Sequence, residues 1–174
     1  MPIWPFQPSR ASQDAELLLR AVTEASRRPA LFAAGRIPDT LEGRFEAMAL
    51  YGSLALIRLR ADDGAGPLAQ AFADKLFRAF DAGLREEGVG DLAVPKRMQK
   101  LAAAFYGRLE AYGAAIRAGD SAGLAAALSR NVFADEAHAF APVFAAHVLT
   151  VARTQVEASV DALFSAGGWP QPPG

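Results

Sequence analysis

The chain has no cysteine, which removes disulfides, thiolate nucleophiles and thiolate zinc sites together and fits a reducing compartment. It has only two histidines, His138 and His147, on either side of Pro142. They lack the i, i+4 spacing that sets two imidazoles on one helix face, so both read as packed polar groups with local hydrogen bonds and not as metal ligands. The letters G-x-S-x-G occur at Gly119 to Gly123, but between two predicted helices and not on the strand-to-helix turn of a nucleophile elbow, which leaves acyl transfer without a starting point. Long apolar runs are missing too: a charge-free greasy stretch of the helical body such as Ala47 to Ile57 falls well short of the roughly 20 residues that span a bilayer. The start, MPIWPFQPSR, has neither a basic leader nor a continuous apolar run, so no secretory signal is expected, and the reading is a cytoplasmic protein able to touch a membrane surface. An excess of one charge is also lacking. Lys and Arg number 18 against 19 Asp and Glu, so nothing global calls for DNA or another polyanion, and any charge argument must be local.

Strand signals are scarce, whereas apolar residues at spacings of three and four recur throughout, and the expected fold is all-α. The punctuation predicts a single compact bundle of six to seven helices in residues 12–166, between a proline-rich arm in 1–11, with Trp4 and Phe6, and a proline-rich tail in 167–174. Ser12 is read as the cap of a helix ended by Pro29. Asp39 and Glu42 have capping-box spacing for a helix from Thr40 to about Arg60. Pro67 and Gly88 bound the next, and Pro95 and Gly119 the one after. Asp120 or Ser121 caps a shorter helix to Phe133, and a last helix is expected from Asp135 to Ser165 with a bend at Pro142. Trp169 in the tail is expected to pack back on the body. The second helix is apolar almost all round, through Met48, Leu50, Tyr51, Leu54, Leu56 and Ile57, which predicts a central core helix or an exposed partner surface, with the core favoured.

Two stretches, GAGPLA from Gly64 and GVGDLA from Gly88, match the loose dinucleotide pattern but follow helices and not strands, so they read as turns, and no cofactor is expected. The acidic pairs Asp62–Asp63 and Glu86–Glu87 sit at predicted helix ends and read as solvated. More informative is the stretch GDLAVPKRMQKLAAAFYGRLEAY. On a helix, Met98, Leu101, Phe105, Leu109, Tyr112 and Ile116 form one narrow seam. Arg97, Lys100 and Arg108 flank it on one side with Lys96 slightly further round, and Tyr106 stands on the other. A chain of almost neutral charge thus has a positive ridge, which is either a solvated helix face or a docking edge for phosphates or an acidic protein surface.

These residues also carry a likeness. GVGDLAVPKRMQKLAAAFYGRLEAY, with the preceding YGSLALIRLR and LAQAFADKLFRAFDAGLREEGVGD and the later LAAALSRNVF, resembles the ubiquinol–cytochrome c chaperone family over roughly residues 30–164. The GVGD turn, the KR-x-x-K step and the FYGR run are its most specific parts, and Pro95 stands where similar sequences have glycine. The resemblance implies a helical, non-enzymatic assembly chaperone for the cytochrome bc1 complex, with newly made cytochrome b as client. Mitochondrial members pair with a small helical protein and work near the ribosomal exit. This chain resembles a compact bacterial relative, for which the small partner is not carried over, while transient contact with the ribosome or the inner-membrane surface stays open.

A chaperone for membrane helices needs an accessible, adaptable apolar groove edged with charge. The expected site is a groove lined by Phe45, Met48 and Tyr51 and the Tyr106 flank, with Lys96, Arg97, Lys100 and Arg108 at its rim. The competing readings are a helical small-molecule or lipid-binding domain with a pocket between helices, and a ribosome- or RNA-docking factor that uses the positive ridge.

Overall fold

The computed structural model describes residues 8–174, so the expected arm with Trp4 and Phe6 lies outside the described residues. Six α-helices follow one another: α1 (Arg10–Ser26), α2 (Leu41–Arg60), α3 (Gly66–Glu86), α4 (Val94–Ala118), α5 (Ser121–Val132) and α6 (Ala141–Glu157). Three short 3-10 turns, Pro29–Phe32, Val160–Phe164 and Ala166–Gly168, complete the regular structure of these residues. Among the described residues no helix is long and apolar enough to cross a membrane.

The helix ends follow the punctuation, with instructive shifts. α1 is capped by Ser9 and not Ser12: the Ser9 hydroxyl accepts the Ser12 N–H at 3.2 Å, so the helix starts earlier than expected. The cap of α2 is Thr40, whose hydroxyl accepts from Gly43 N–H at 3.1 Å. The expected capping residue Asp39 instead holds Arg44 at 2.7 Å. Gly43 is obligatory there, because a Cβ would lie 1.9 Å from the Pro38 carbonyl oxygen, a backbone atom with little room to yield. Pro67 and Pro95 sit in the first turns of α3 and α4, Gly119 ends α4 in the left-handed region at φ 64°, and the Asp120 carboxylate caps α5 through Gly123 N–H at 2.8 Å.

The last helix departs most from expectation. Pro142 does not bend it but opens it: α6 begins at Ala141, and the preceding residues form a turn. Here the Ser129 hydroxyl accepts His138 N–H at 2.6 Å, and the His138 ring stacks on Phe133 with centroids 4.1 Å apart. Proline lacks an N–H and is as well suited to a first turn as to a kink. α6 ends at Glu157, and the chain continues as a 3-10 turn in place of the expected helix to Ser165.

α2 is the axis of the bundle and packs against each of the other five helices. This explains its all-round apolarity: Ala47, Leu50, Tyr51, Leu54, Ala55, Leu56 and Leu59 are all buried. Phe72, Leu76 and Phe80 of α3 and Phe105, Leu109 and Tyr112 of α4 face it as the expected stripes. Trp169 folds back and is buried beneath this core, its indole N–H donating to the Leu163 carbonyl at 2.9 Å and its ring lying 5.8 Å from that of Tyr51. Arg28 and Arg36 hold the residues beyond it by their carbonyls, at 2.6 Å to Pro170 and 2.8 Å to Gly174.

Candidate functional site

Because the middle of α2 is wrapped by its neighbours, only its ends come near the surface, and a concavity of about 470 Å³ opens over its first two turns. Its walls are the start of α2, the end of α3 and the start of α4, closed at one side by Ser26 and Arg27 of α1's end. The floor is Leu41, Phe45, Met48, Phe80, Leu84 and Leu101. Leu41 is 45 % exposed, and the Phe45 and Phe80 rings pack 4.8 Å apart. This size and composition suit a short apolar segment better than a polar metabolite.

The rim is charged, but not as a basic edge. Arg27, Arg44 and Arg97 face the groove together with Glu42, Glu86 and Glu87. The acids enter because the groove lies over the first turn of α2 and the last turn of α3, where these glutamates stand.

Of the residues expected at the site, Phe45, Met48 and Arg97 line this groove. Lys96 and Lys100 are exposed on α4 near Arg97 but do not line it. Tyr106 is half-exposed and stacks on Phe77 with centroids 5.7 Å apart, outside the groove lining. Two placements are corrected. Tyr51 is fully buried on the core side of α2, its hydroxyl 3.1 Å from His147 Nε2. Arg108 is not at a rim: its guanidinium donates to Glu46 Oε1 at 2.6 Å, with both side chains largely buried.

Glu46 was not singled out by the sequence, although an acid at the edge of the apolar run of α2 calls for a partner. Burial pushes its carboxyl up to about 7, with the adjacent Arg108 guanidinium pulling the other way. Glu46 Oε2, Arg108 Nε and the Tyr112 hydroxyl have no partner among the described atoms, so the pair is incompletely satisfied where α2 meets α4. A second concavity of about 340 Å³ lies among Leu54, Ile57, Ile116, Ala152 and Val156. Its arginines are partly committed: Arg58 donates to the carbonyls of Gln155 and Ala158, and Arg60 pairs with Glu110.

The histidines act in packing. His147 is held near pKa 4, chiefly by burial and secondarily by the positive charge of Arg28, so it is neutral in the folded protein at neutral pH. In the unfolded chain it titrates near 6.5. Between these values the unfolded chain binds the extra proton, so stability present above 6.5 is lost as the pH falls toward 4. The unfolding free energy of the wild type relative to His147→Gln should therefore drop by about 2 to 3 kcal/mol from neutral to acid pH. Denaturant titrations across this range read the effect, and using the difference between the two proteins cancels the opposite contribution of Glu46. A difference that stays flat would mean that His147 is not buried as the neutral base.

Among the described residues no group of three or more His, Asp or Glu is placed to hold a metal ion. A comparison with curated proteins finds no match. The sequence profile of the ubiquinol–cytochrome C chaperone family matches residues 33–167. The fold is similar to the crystal structure of the Cbp3 homolog from Brucella abortus, with a TM-score of 0.81 and 39 % identity over 95 % of this chain and 92 % of that one. On the extent of that profile match and the likeness at this identity, the chain belongs to the ubiquinol–cytochrome c chaperone family.

Proposed function

We propose that this chaperone acts without catalysis, holding newly made cytochrome b during assembly of the cytochrome bc1 complex, and that the groove at the start of α2 is where it holds it. The observation that carries this reading is the apolar floor of Leu41, Phe45, Met48, Phe80, Leu84 and Leu101, which lines the roomier of the two concavities described above. A membrane helix waiting for lipid and cofactor exposes such surface, and covering it suppresses aggregation. Met48 adds adaptability, since a thioether conforms to varied client side chains. The mixed rim of Arg97, Arg44, Glu42 and Glu87 orients the client through exposed charges of both signs, with Lys96, Lys100 and Tyr106 reaching client segments beyond the groove.

Photo-crosslinking in cells, with the reactive residue placed at Met48, Leu84 or Lys100, tests this directly. Cytochrome b should be captured at the first two positions, and Met48→Asp should lower capture about tenfold or more, because a carboxylate would have to be desolvated against the client. Failure at both groove positions, with cytochrome bc1 levels unchanged on deletion of the gene, would end this reading. A second reading, as a small-molecule or lipid-binding domain, draws on the concavity lined by Leu54, Ile57 and Ile116. Native mass spectrometry of the purified chain, showing a co-purified amphiphile lost on Ile57→Trp, would favour it.

A further inference from the structure

The loop from α3 to α4 presents its leucine outward: Leu92 is 100 % exposed, although Val94, two residues on, is buried. Among the described residues it is the most exposed of the large apolar side chains, the next being Val156 at 69 %. Directly after it come Lys96, Arg97 and Lys100, all exposed, and among the described residues none of them has a carboxylate within ion-pairing distance. No acid occurs from Leu92 to Leu109. Of the two acids within the loop, Asp91 is held by Arg85, which also binds Asp81, and Glu87, like Glu86 at the end of α3, lines the groove. An apolar tip is thus set beside three uncompensated cations.

We propose that this corner is a docking surface for an anionic lipid bilayer, with Leu92 entering the headgroup layer and Lys96, Arg97 and Lys100 meeting lipid phosphates. The combination of an apolar insertion with a basic cluster is what reversible attachment to such a surface requires, since neither element alone holds. RNA phosphates would also meet the cations but would gain nothing from a fully exposed leucine. Arg97 belongs both to this patch and to the rim of the groove, so docking would open the groove next to the bilayer. That consequence rests on the chaperone reading above; the docking surface itself does not.

Flotation of the full chain with vesicles of phosphatidylglycerol and phosphatidylcholine in equal parts, against phosphatidylcholine alone, tests the proposal. Binding is expected only to the anionic vesicles and should weaken with added salt. Leu92→Ser should weaken it about tenfold or more, and the triple variant Lys96→Gln, Arg97→Gln, Lys100→Gln about a hundredfold. All four side chains are exposed, so thermal melts of these variants should match the wild type. No binding by the wild type, or binding by Leu92→Ser equal to it, would overturn the proposal. So would tight binding to an RNA hairpin that is indifferent to Leu92→Ser and unaccompanied by vesicle binding. Met48→Asp should leave vesicle binding intact, and Leu92→Ser should leave capture of cytochrome b in detergent intact, so that failure of one reading is told apart from failure of the other.

Discussion

Replacing Trp169 by alanine should destabilise the protein by about 3 to 5 kcal/mol, a large share of the stability of a domain this size. The residue lies close to the C-terminus, where side chains are usually dispensable. Here it is 2 % exposed and belongs to the same apolar cluster as Leu18, Leu50 and Leu163. Truncation removes the indole from contact with Tyr51 and leaves the Leu163 carbonyl, which now accepts the indole N–H, without its donor. Trp169→Phe separates the two losses: it keeps most of the apolar contact and should cost only about 1 to 2 kcal/mol, the value of a buried hydrogen bond and a small void. Urea denaturation of the three proteins is the measurement. A cost below about 1 kcal/mol for Trp169→Ala, within the range of surface substitutions, would mean that the segment after Gly167 does not seal the core in solution. Because Gln155, Arg28 and Arg36 bind carbonyls of Gly168, Pro170 and Gly174, the large value is expected to come with a lower melting temperature of the whole bundle and not with local fraying alone.

How far such a seam could be read beforehand depended on the range of the interaction. Pro67, Pro95, Gly119 and Asp120 act through their own backbone or through groups within one turn, and each does in the structure what its position implies. Where two residues could serve equally, spacing did not choose. Ser9 and Ser12 are both competent caps, and Thr40 won over Asp39 because Arg44 engages the carboxylate. Pro142 fits a bend and a first turn alike, and the decision came from the Ser129–His138 and Phe133–His138 contacts, which turn the chain just before it. The same limit applies to the groove. The surplus apolar surface of α2 pointed to Phe45 and Met48, but a helix apolar on every side does not say which side is left uncovered. Five neighbouring helices cover Tyr51 and the middle of the helix and leave its two ends nearer the surface. The acids of the rim were legible only as a capping residue and a solvated helix end, because Glu42 and Glu86 are distant in sequence and meet only in the fold.

Arg108 shows that limit most sharply, since its charge was legible and its partner, 62 residues away, was not. Alanine at this position should cost about 3 to 5 kcal/mol at alkaline pH, because Glu46 would keep a charge that nothing in its surroundings compensates. The cost should fall as the pH drops. Glu46 has its carboxyl raised to about 7 even beside the guanidinium, so in the variant it takes up a proton more readily and escapes the unpaired state. In linkage terms the variant binds more protons folded than unfolded over a wider range than the wild type does, so its stability declines more as the pH rises. Replacing both partners, as Glu46→Leu with Arg108→Met, should restore stability to within about 1 to 2 kcal/mol of the wild type, since an incompletely satisfied buried pair can be exchanged for apolar contact at little loss. Chemical denaturation of the single and double variants at acid and alkaline pH reads all three effects. A single variant as stable as the wild type at alkaline pH would show the pair to be solvated. The double variant also bears on function: Glu46 lines the groove, so if the pair only ties α2 to α4, client capture should survive the exchange, whereas loss of capture with stability intact would make the buried carboxylate part of what the client meets.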